Sequence, residues 1–156
     1  MEQIARVETA VGPIGLVVSN GSVTRLLWQS DGPLASSLPP SDVLAQAGHQ
    51  IDAYFKQKLT EFNLPLDPKG SAFQKKIYQA MIDIPYGETR TYGELAKLVG
   101  GSAQSVGSAC GANPIPIIIP CHRVVSSKDL GGYSGEGGIE TKISLLRLEG
   151  AIPYLI

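Results

Sequence analysis

The sequence predicts an α+β fold, with a small N-terminal lobe built on an antiparallel sheet and a mostly helical C-terminal lobe. Segments of strand character, separated by turn residues, fill the first 28 positions. Helical periodicity and capping motifs dominate after residue 70. A proline-bounded stretch, Leu64–Pro68, lies between the two regions and is typical of a linker. We therefore expect one lobe over residues 1–66 and a second over residues 67–156.

Composition and length exclude several classes of protein. The 156 residues are 43% hydrophobic and 17% charged, which suits a folded core and not a disordered chain. No apolar stretch reaches the roughly 18 residues that cross a bilayer, and the N-terminus lacks the basic start of a signal peptide. The two cysteines and two histidines match no zinc-site spacing. We expect a cytoplasmic protein without a metal site or membrane association.

Charge is unevenly distributed along the chain. Residues 1–68 carry four basic and seven acidic side chains, whereas residues 69–156 carry nine and seven. A mildly basic second half weakly favours a polyanionic partner for that half. A solvated surface explains the same balance equally well.

The elements of the first lobe follow from its turns and apolar positions. Gly12-Pro13 predicts one turn, and Asn20-Gly21 between Gly15–Ser19 and Ser22–Trp28 is the strongest short signal for a β-hairpin. A loop rich in serine, glycine and proline follows. An apolar stripe at helical spacing then predicts a helix that begins at Ser41.

Two capping boxes, beginning at Ser71 and Thr91, predict the starts of two helices in the second lobe. The Thr91 helix ends before Gly100-Gly101, and Ser102 caps a further helix that runs to about Cys110. Two short helices joined by a tight glycine turn are typical of a helix-turn-helix, in which the second helix enters a DNA groove.

The second helix of this pair has no charged residue. Its small side chains allow close approach of the backbone to another surface. Binding to DNA would therefore use backbone amides and short side chains and not a row of lysines, and a helix packed inside the protein is the alternative. The positions predicted to face DNA are Ser102, Ala103, Gln104 and Ser105.

Residues 113–125 carry the strongest indication of chemistry. Ile115–Ile119 is β-branched and bounded by prolines, which predicts a short, buried, extended segment leading to Cys121 and His122. A thiol is a useful nucleophile only as the thiolate, which a nearby base or positive field can generate. Neighbours on an extended segment point to opposite faces, so a turn at Cys121 or a bridging water is needed. An inert buried cysteine beside a surface histidine is the alternative.

The segment Pro120–Val124 (PCHRV) resembles the active-site signature of the O6-alkylguanine-DNA alkyltransferases, also called methylated-DNA–protein-cysteine methyltransferases. The resemblance extends over about residues 71–150, in the family's order and spacing, whereas the first lobe matches only by its hairpin pattern. The other matching segments are Pro85–Ala96 before the helix-turn-helix, the hinge Asn113-Pro114, the pocket loop Gly132–Gly135 and the helix end Leu145–Gly150.

The resemblance implies a suicide DNA repair protein that acts as a monomer on double-stranded DNA containing O6-alkylguanine. The damaged base is flipped out of the duplex, because chemistry on a stacked base is sterically blocked. Cys121 then attacks the alkyl carbon on guanine O6 in one displacement, which leaves a thioether and restored guanine. No cofactor is implied, since the damaged DNA is itself the alkyl donor.

The resemblance also implies roles for individual residues. Glu149 orients His122, and His122 relays a proton from Cys121 through water, in the order orienter, base and nucleophile. Asn113 supports the turn near the thiol. The residues that it places at the substrate pocket are Tyr92, Tyr133, Ser134 and Val124.

One position departs from the family pattern. An arginine on the recognition helix typically fills the gap left by the flipped base, and alignment back from Asn113-Pro114 places Gln104 there. Glutamine lacks the charge and planar stacking surface of a guanidinium group, so we expect weaker DNA binding or slower flipping without loss of chemistry. Arg90, Lys97 and Arg123 are candidates for phosphate contacts, although Arg123 could equally hold the two lobes together.

Three other functions fit parts of the sequence. A protein that binds alkylated guanine without repairing it would resemble this fold but replace the nucleophile, and Cys121 argues against that class. A Cys–His hydrolase would need an oxyanion-hole segment that the sequence does not display. A transcription regulator would need a basic recognition helix and a dimerisation segment. Cys110 is expected to pack as a small apolar residue and not to be catalytic.

Overall fold

The computed structural model describes residues 2–29 and 31–151. The chain divides into two compact units, Met1–Pro68 and Lys69–Ile156, so the boundary lies two residues beyond the predicted one. No helix within the described ranges is long and apolar enough to cross a membrane.

The N-terminal unit contains a three-stranded antiparallel sheet in the order β1-β2-β3. Its strands are β1 (Glu2–Thr9), β2 (Gly12–Ser19) and β3 (Ser22–Trp28). Asn20 and Gly21, with φ angles of 52° and 79°, form the tight turn of the predicted hairpin. The turn expected at Gly12-Pro13 lies just before those residues, because both are already paired in β2.

One helix, α1 (Val43–Phe55), packs against this sheet. It begins two residues after the expected Ser41, because the Asp42 side chain accepts a hydrogen bond from the Leu44 N–H at 2.8 Å and caps the helix. Gly48 is required here, since a Cβ at this position would lie 2.3 Å from Ala35 Cβ. The buried helix residues are Leu44, Ala47, Gly48, Ile51 and Tyr54.

The C-terminal unit is mostly helical, as predicted. It also contains a two-stranded parallel ladder that the sequence analysis missed, because each strand is only two residues long. The elements are α2 (Ala72–Ile82), β4 (Arg90–Thr91), α3 (Tyr92–Val99), α4 (Ala103–Ala112), β5 (Val124–Val125) and α5 (Ile139–Leu148).

Capping boxes begin three of these helices, including both that were predicted. Ser71 opens α2, Thr91 opens α3, and Ser102 opens α4 with Ser105 as its reciprocal partner. Gly100, with φ of 77°, ends α3 in the left-handed conformation that glycine adopts without strain. The helix pair α3–α4 therefore has the predicted tight glycine turn.

The segment Ile115–Ile119 is buried as predicted, but the prediction that it is extended was wrong. The chain folds into a tight turn in which the Ile119 N–H donates to the Ile115 carbonyl at 2.8 Å. Ile117 has a φ of 73°, which is rare for a β-branched residue. The apolar, β-branched composition correctly indicates that the segment is buried. It does not indicate the path of the backbone, because the hydrogen bonds of the turn determine that path.

Candidate active site

Cys121 lies at the start of a single turn of 3-10 helix, Cys121–Arg123, which follows the tight turn. This helical turn provides the change of direction that the sequence required between the thiol and the imidazole. The three residues are all buried, with exposed fractions of 5%, 0% and 6%. The chain therefore places a cysteine, a histidine and an arginine together in its interior.

Asn113, at the C-terminal end of α4, holds this arrangement through its side chain. Its Nδ2 donates to the Ile119 carbonyl at 2.8 Å, and its Oδ1 accepts from the Ile115 N–H at 3.0 Å. The same amide lowers the pKa of the Cys121 thiol. A single side chain thus links α4 to the tight turn and acts on the thiol.

His122 is oriented by Glu149, the residue that caps the C-terminus of α5. The His122 Nε2 and the Glu149 Oε2 are 2.7 Å apart, and both side chains are fully buried. Burial lowers the pKa of His122, so the imidazole is neutral at neutral pH. Because a carboxylate only accepts, Nε2–H donates to it, which leaves the Nδ1 lone pair available as a base. Within the described residues, Nδ1 has no hydrogen-bond partner.

Arg123 is a structural residue of the C-terminal unit. Its Nε donates to Glu149 Oε1 at 2.8 Å, its Nη2 to Glu149 Oε2 at 3.0 Å, and its Nη1 to the Ile84 carbonyl at 2.7 Å. Its guanidinium group is buried and bonded within this unit, so the structure lends no support to the predicted contact of Arg123 with DNA. The alternative that it joins the two lobes gains no support from these bonds, since Glu149 and Ile84 belong to the same unit as Arg123.

Glu149 stays ionised despite its burial. Burial alone would raise its pKa, but the hydrogen bond from His122 and the charged hydrogen bonds from Arg123 outweigh burial and lower the pKa to about 2. The carboxylate is therefore a fixed negative charge that balances Arg123 and orients His122.

Cys121 is held as the neutral thiol in the resting protein. Burial raises its pKa, while the hydrogen bond from Asn113 and the positive charge of Lys142 lower it by less. A thiol in this state needs a base at the moment of reaction. The neutral imidazole of His122 is the base that the site contains.

Lys142 is a residue of this site that the sequence analysis missed. It lies in α5 with an exposed fraction of 0%, and its Nζ donates to the carbonyls of Val124 (2.7 Å) and Gly132 (3.0 Å). Burial lowers its pKa. Its position three and four residues before Leu145 and Leu146 places it on the buried face of α5, which was the available signal.

The thiol opens on a cavity of about 280 Å³ in the C-terminal unit. Tyr92, Tyr133 and Ser134, which were predicted to lie at the substrate pocket, line this cavity together with Cys121. Val124, predicted to lie there too, is fully buried in β5 and does not line the cavity. The remaining lining residues are Gly107, Cys110, Gly111 and Gly132.

A larger cavity of about 830 Å³ lies in the N-terminal unit, between residues of β1 and α1. None of the predicted site residues lines it. The described residues also contain no group of three or more His, Cys, Asp and Glu side chains placed to hold a metal ion.

The residues predicted to face DNA lie at the start of α4. Ser102, Ala103 and Gln104 are exposed, and Ser105 is half-buried. The hydroxyls of Ser102 and Ser105 are engaged in the capping box. The Gln104 side chain therefore projects from the first turn of α4 as the largest exposed group there.

Family models match both units of the chain. Residues 72–151 match "6-O-methylguanine DNA methyltransferase, DNA binding domain", and residues 5–68 match the "ribonuclease-like domain" of the same proteins. The chain belongs to the 6-O-methylguanine DNA methyltransferase family.

Individual family members resemble the chain over nearly its whole length. The methylated-DNA–protein-cysteine methyltransferase of Mycobacterium leprae (strain TN) is 45% identical over 149 residues, covering 91% of this chain and 88% of the relative. The protein of the same name from Methanosarcina acetivorans is 39% identical over 152 residues, covering 92% and 96%.

Solved structures of family members share the fold. The Mycobacterium tuberculosis O6-methylguanine methyltransferase has a TM-score of 0.83 at 38% identity, covering 97% of this chain and 94% of the other. The Mycobacterium tuberculosis OGT in complex with DNA has a TM-score of 0.81 at 39% identity, covering 94% and 92%. The predicted α+β fold, a three-stranded sheet lobe followed by a helical lobe, is confirmed.

Proposed function

We propose that this protein repairs O6-alkylguanine in double-stranded DNA by transferring the alkyl group irreversibly to Cys121, once per molecule. The observation that carries the proposal is a buried thiol opening on a cavity, next to a neutral histidine that is oriented by a buried carboxylate. The names of the family members and the complex of one of them with DNA support the substrate class.

The burial of Cys121 dictates how the substrate reaches it. The sulfur lies at a cavity within the C-terminal unit, so a base stacked in a duplex cannot bring its O6 substituent against it. The damaged nucleotide therefore leaves the stack and enters the cavity, at an unstacking cost of a few kcal/mol. A modified base that pairs poorly leaves the stack more easily, which favours damaged over normal guanine.

Transfer is a single displacement at the alkyl carbon. The Cys121 proton moves through a water molecule to Nδ1 of His122, and the thiolate forms the new S–C bond as the C–O6 bond breaks. The electron pair of that bond stays with the guanine, which takes up a proton to become the normal base. Glu149 stabilises the imidazolium that forms transiently, and its charge-assisted bonds with Arg123 keep it in place.

The polar groups of the cavity act on the leaving guanine. Three residues that carry hydroxyl groups line the cavity with Cys121, namely Tyr92, Tyr133 and Ser134. Donors at O6 stabilise the negative charge that develops as the alkyl group departs. The product thioether has no leaving group that water can displace easily, so each molecule reacts once.

Transfer stoichiometry tests this function. A duplex with a radiolabelled O6-methyl group is incubated with increasing amounts of protein, and the label transferred from the DNA to the protein is measured. We expect transfer that saturates at one methyl per protein, is lost in Cys121→Ser, and persists in Cys110→Ser. Selective binding of the damaged duplex without transfer would instead place the protein in the class of damage-recognition proteins.

We also propose that Gln104 fills the gap that the flipped base leaves in the duplex. Its exposed position on the first turn of α4 supports this role. A glutamine can bond to the orphaned cytosine but supplies neither the charge nor the stacking surface of arginine.

Substitution tests the role of Gln104. Gln104→Arg should tighten binding to damaged duplex by about tenfold, since a charge-assisted contact adds about 1.4 kcal/mol or more. Binding is measured by fluorescence anisotropy on Cys121→Ser backgrounds, and Ser108→Arg provides the same charge on another exposed position of α4. Equal binding by the Gln104→Arg protein and its parent would refute this role.

A further inference from the structure

Three sulfur atoms meet beside the active-site cavity. Cys110 and Cys121 both line the cavity, and Met81 contacts Cys110. The three residues belong to α2, α4 and the 3-10 turn that begins at Cys121. Because α2 packs against both α4 and this turn, the fold brings two thiols and one thioether into the same region of the C-terminal unit.

The contact between Cys110 and Met81 has the dimensions of a pair of metal ligands. Cys110 Sγ and Met81 Sδ are 3.7 Å apart. A small d10 cation binds sulfur at about 2.3 Å, so two sulfur ligands at tetrahedral or trigonal angles lie about 3.8–4.0 Å apart. Met81 is fully buried, which holds its sulfur in place against α4. The two sulfur atoms are therefore spaced to share one ion.

The Cys121 thiol acts on the Cys110 thiol from the same cavity. Burial, and after it the neighbouring Cys121 thiol, raise the pKa of Cys110 to about 12. Burial also raises the pKa of Cys121. Both thiols are therefore protonated at neutral pH, and a cation that binds them must displace both protons.

The charge near the two thiols fits a monovalent cation. The positive charge of Lys142 lowers the pKa of both thiols, although by less than burial raises them. Two thiolates around a monovalent cation carry one net negative charge, which one protonated lysine balances. A divalent cation with the same ligands would leave the charge of Lys142 without a counter-charge inside the protein.

The ligand set also indicates a soft ion. Thiolate and thioether ligands together favour Cu(I), whereas structural zinc sites are completed to four ligands by histidine or further cysteines. Over residues 2–29 and 31–151, no third His, Cys, Asp or Glu side chain joins the two thiols in a metal-binding group. Spacing in the sequence gives no indication of this group, because Met81 lies 29 residues before Cys110.

We propose that Met81, Cys110 and Cys121 form a binding site for one Cu(I) ion, and that the bound ion blocks Cys121 as a nucleophile. Two thiols and Cu(I) give a bis-thiolate complex with a thioether ligand, and two protons are released to solvent. The copper and sulfur atoms keep their oxidation states. Binding of the ion stands on these residues alone, and only the block of alkyl transfer rests on the proposed function.

Competition for Cu(I) tests the site. The metal-free, full-length protein is titrated without oxygen against bathocuproine disulfonate, a coloured Cu(I) chelator, and the loss of colour gives the stoichiometry and affinity of binding. The variants are Cys110→Ala and Met81→Leu, of which the second is a volume-conserving change that cores tolerate. His49→Asn, at an exposed position of α1, controls for a Cu(I) site on the protein surface.

We expect one Cu(I) per unmodified protein, with only sulfur ligands in the X-ray absorption spectrum. Cys110→Ala should weaken binding by more than about a hundredfold, since loss of a residue that merely supports a metal ligand already costs about 10–100-fold. Met81→Leu should weaken binding by about tenfold, because a thioether is a weaker ligand than a thiolate. His49→Asn should bind Cu(I) with the affinity of the unmodified protein.

Activity measurements test the block of Cys121. Protein loaded with one Cu(I) should lose methyl transfer from a duplex containing O6-methylguanine, and addition of the chelator should restore it. Metal-free Met81→Leu should transfer methyl at the rate of the unmodified protein, and should need a higher Cu(I) concentration for the same inhibition.

Equal Cu(I) affinities of Cys110→Ala and the unmodified protein, or nitrogen and oxygen ligands in the spectrum, would overturn the site. Full methyl transfer by the loaded protein would overturn the block of Cys121. Absence of methyl transfer by the metal-free protein would instead remove the proposed function, and the titration would still decide whether Cu(I) binds at the three sulfur atoms.

Discussion

Glu149 receives hydrogen bonds from two side chains, the imidazole of His122 and the guanidinium of Arg123. The first bond selects the tautomer in which Nδ1 can take a proton, and the second neutralises the buried carboxylate. Arg123 and His122 are neighbours in the chain, so one carboxylate at the end of α5 fixes both residues that follow the nucleophile. At the scale of single residues, the Glu149 carboxylate therefore contributes both to catalysis and to stability.

Replacing this carboxylate should therefore affect both properties. In Glu149→Gln, Arg123 stays buried without its counter-charge, which should destabilise the protein by about 3 kcal/mol or more. The amide no longer enforces the Nε2–H tautomer, so methyl transfer by the folded fraction should slow by about a hundredfold. Urea unfolding and single-turnover rates measure the two effects.

The matched control is Glu140→Gln, an exposed carboxylate in the first turn of α5. It should change the unfolding free energy by less than about 0.5 kcal/mol and leave the methyl-transfer rate unchanged. An unchanged transfer rate in folded Glu149→Gln protein would contradict the assigned orientation of His122.

Lys142 provides a second residue-level prediction. Lys142→Met removes the positive charge that lowers the pKa of Cys121 and leaves the carbonyls of Val124 and Gly132 without their donor. The pH at which iodoacetamide alkylates Cys121 at half its maximal rate should move upward, and methyl transfer should slow. Lys142→Arg, which keeps the charge, should restore the pH profile in part.

Lys75→Met, on the exposed side of α2, controls for the loss of a lysine. If the role of Lys142 is only structural, Lys142→Met should lower the melting temperature and leave the pH dependence of Cys121 alkylation unchanged. That outcome would rule out an electrostatic effect of Lys142 on the thiol.

At the scale of elements, the turn between α4 and Cys121 determines where the sulfur lies. Two prolines and the side-chain bonds of Asn113 close the chain on itself, and Ile117 adopts a φ of 73° within the turn. A β-branched residue in this conformation is strained by about 1–3 kcal/mol. The surrounding hydrogen bonds must therefore hold it.

Asn113→Ala tests this turn. The variant leaves the Ile115 N–H and the Ile119 carbonyl without their partner inside the protein, at a cost of about 1–3 kcal/mol for a buried polar group. We expect a lower melting temperature together with slower methyl transfer, because the thiol also loses a group that lowers its pKa. Gln50→Ala removes a side-chain amide that bonds to the backbone N–H and carbonyl of Asn63 in the other unit, so it should affect stability without a specific effect on transfer. A folded Asn113→Ala protein with normal transfer would contradict the role of the turn.

Local signals predicted most of the elements. The Asn20-Gly21 hairpin and the capping boxes at Ser71 and Thr91 are short-range patterns in which the sequence itself contains the bonding partners. The turn at Ile115–Ile119 was predicted as extended, because its shape depends on a side chain outside the segment. The β4–β5 ladder pairs residues more than thirty positions apart and is too short to leave a periodic signal.

The site was predicted less evenly than the fold. The residue pattern indicated Cys121 and His122, a resemblance to a family added Glu149, and the structure brings all three together. Arg123 was predicted to contact DNA, because an arginine in a basic half of the chain suggests phosphate contacts. Its actual partner, Glu149, lies 26 residues away in the sequence, so no local pattern indicates the pair. Lys142 was overlooked because a buried lysine is rare and its carbonyl partners cannot be identified from residue types.

At the scale of the whole molecule, the buried ionisable groups predict how stability depends on pH. The pKa of His122 is lowered from its ordinary 6.5, and the pKa of Glu149 from 4.5 to about 2. In both cases the unfolded chain binds more protons than the folded chain as the pH falls, so acid favours unfolding. Stability should decline first below about pH 6.5 through His122, and again from about pH 4.5 toward pH 2 through Glu149.

Urea unfolding at a series of pH values checks this dependence. His122→Asn should reduce the decline between pH 7 and pH 5, whereas His49→Asn, at an exposed position of α1, should not. A constant unfolding free energy from pH 7 to pH 4 in the unmodified protein would contradict the neutral, buried state assigned to His122.

The most direct test of the account is to locate the transferred group. The protein is incubated with a duplex containing O6-methylguanine, digested and analysed by peptide mass spectrometry, with Cys121→Ala as the control. We expect a single added methyl group on the peptide that contains Cys121, saturating at one per molecule and absent from the control. A methyl group on Cys110, or an unmodified Cys121 after prolonged incubation with excess damaged duplex, would contradict it.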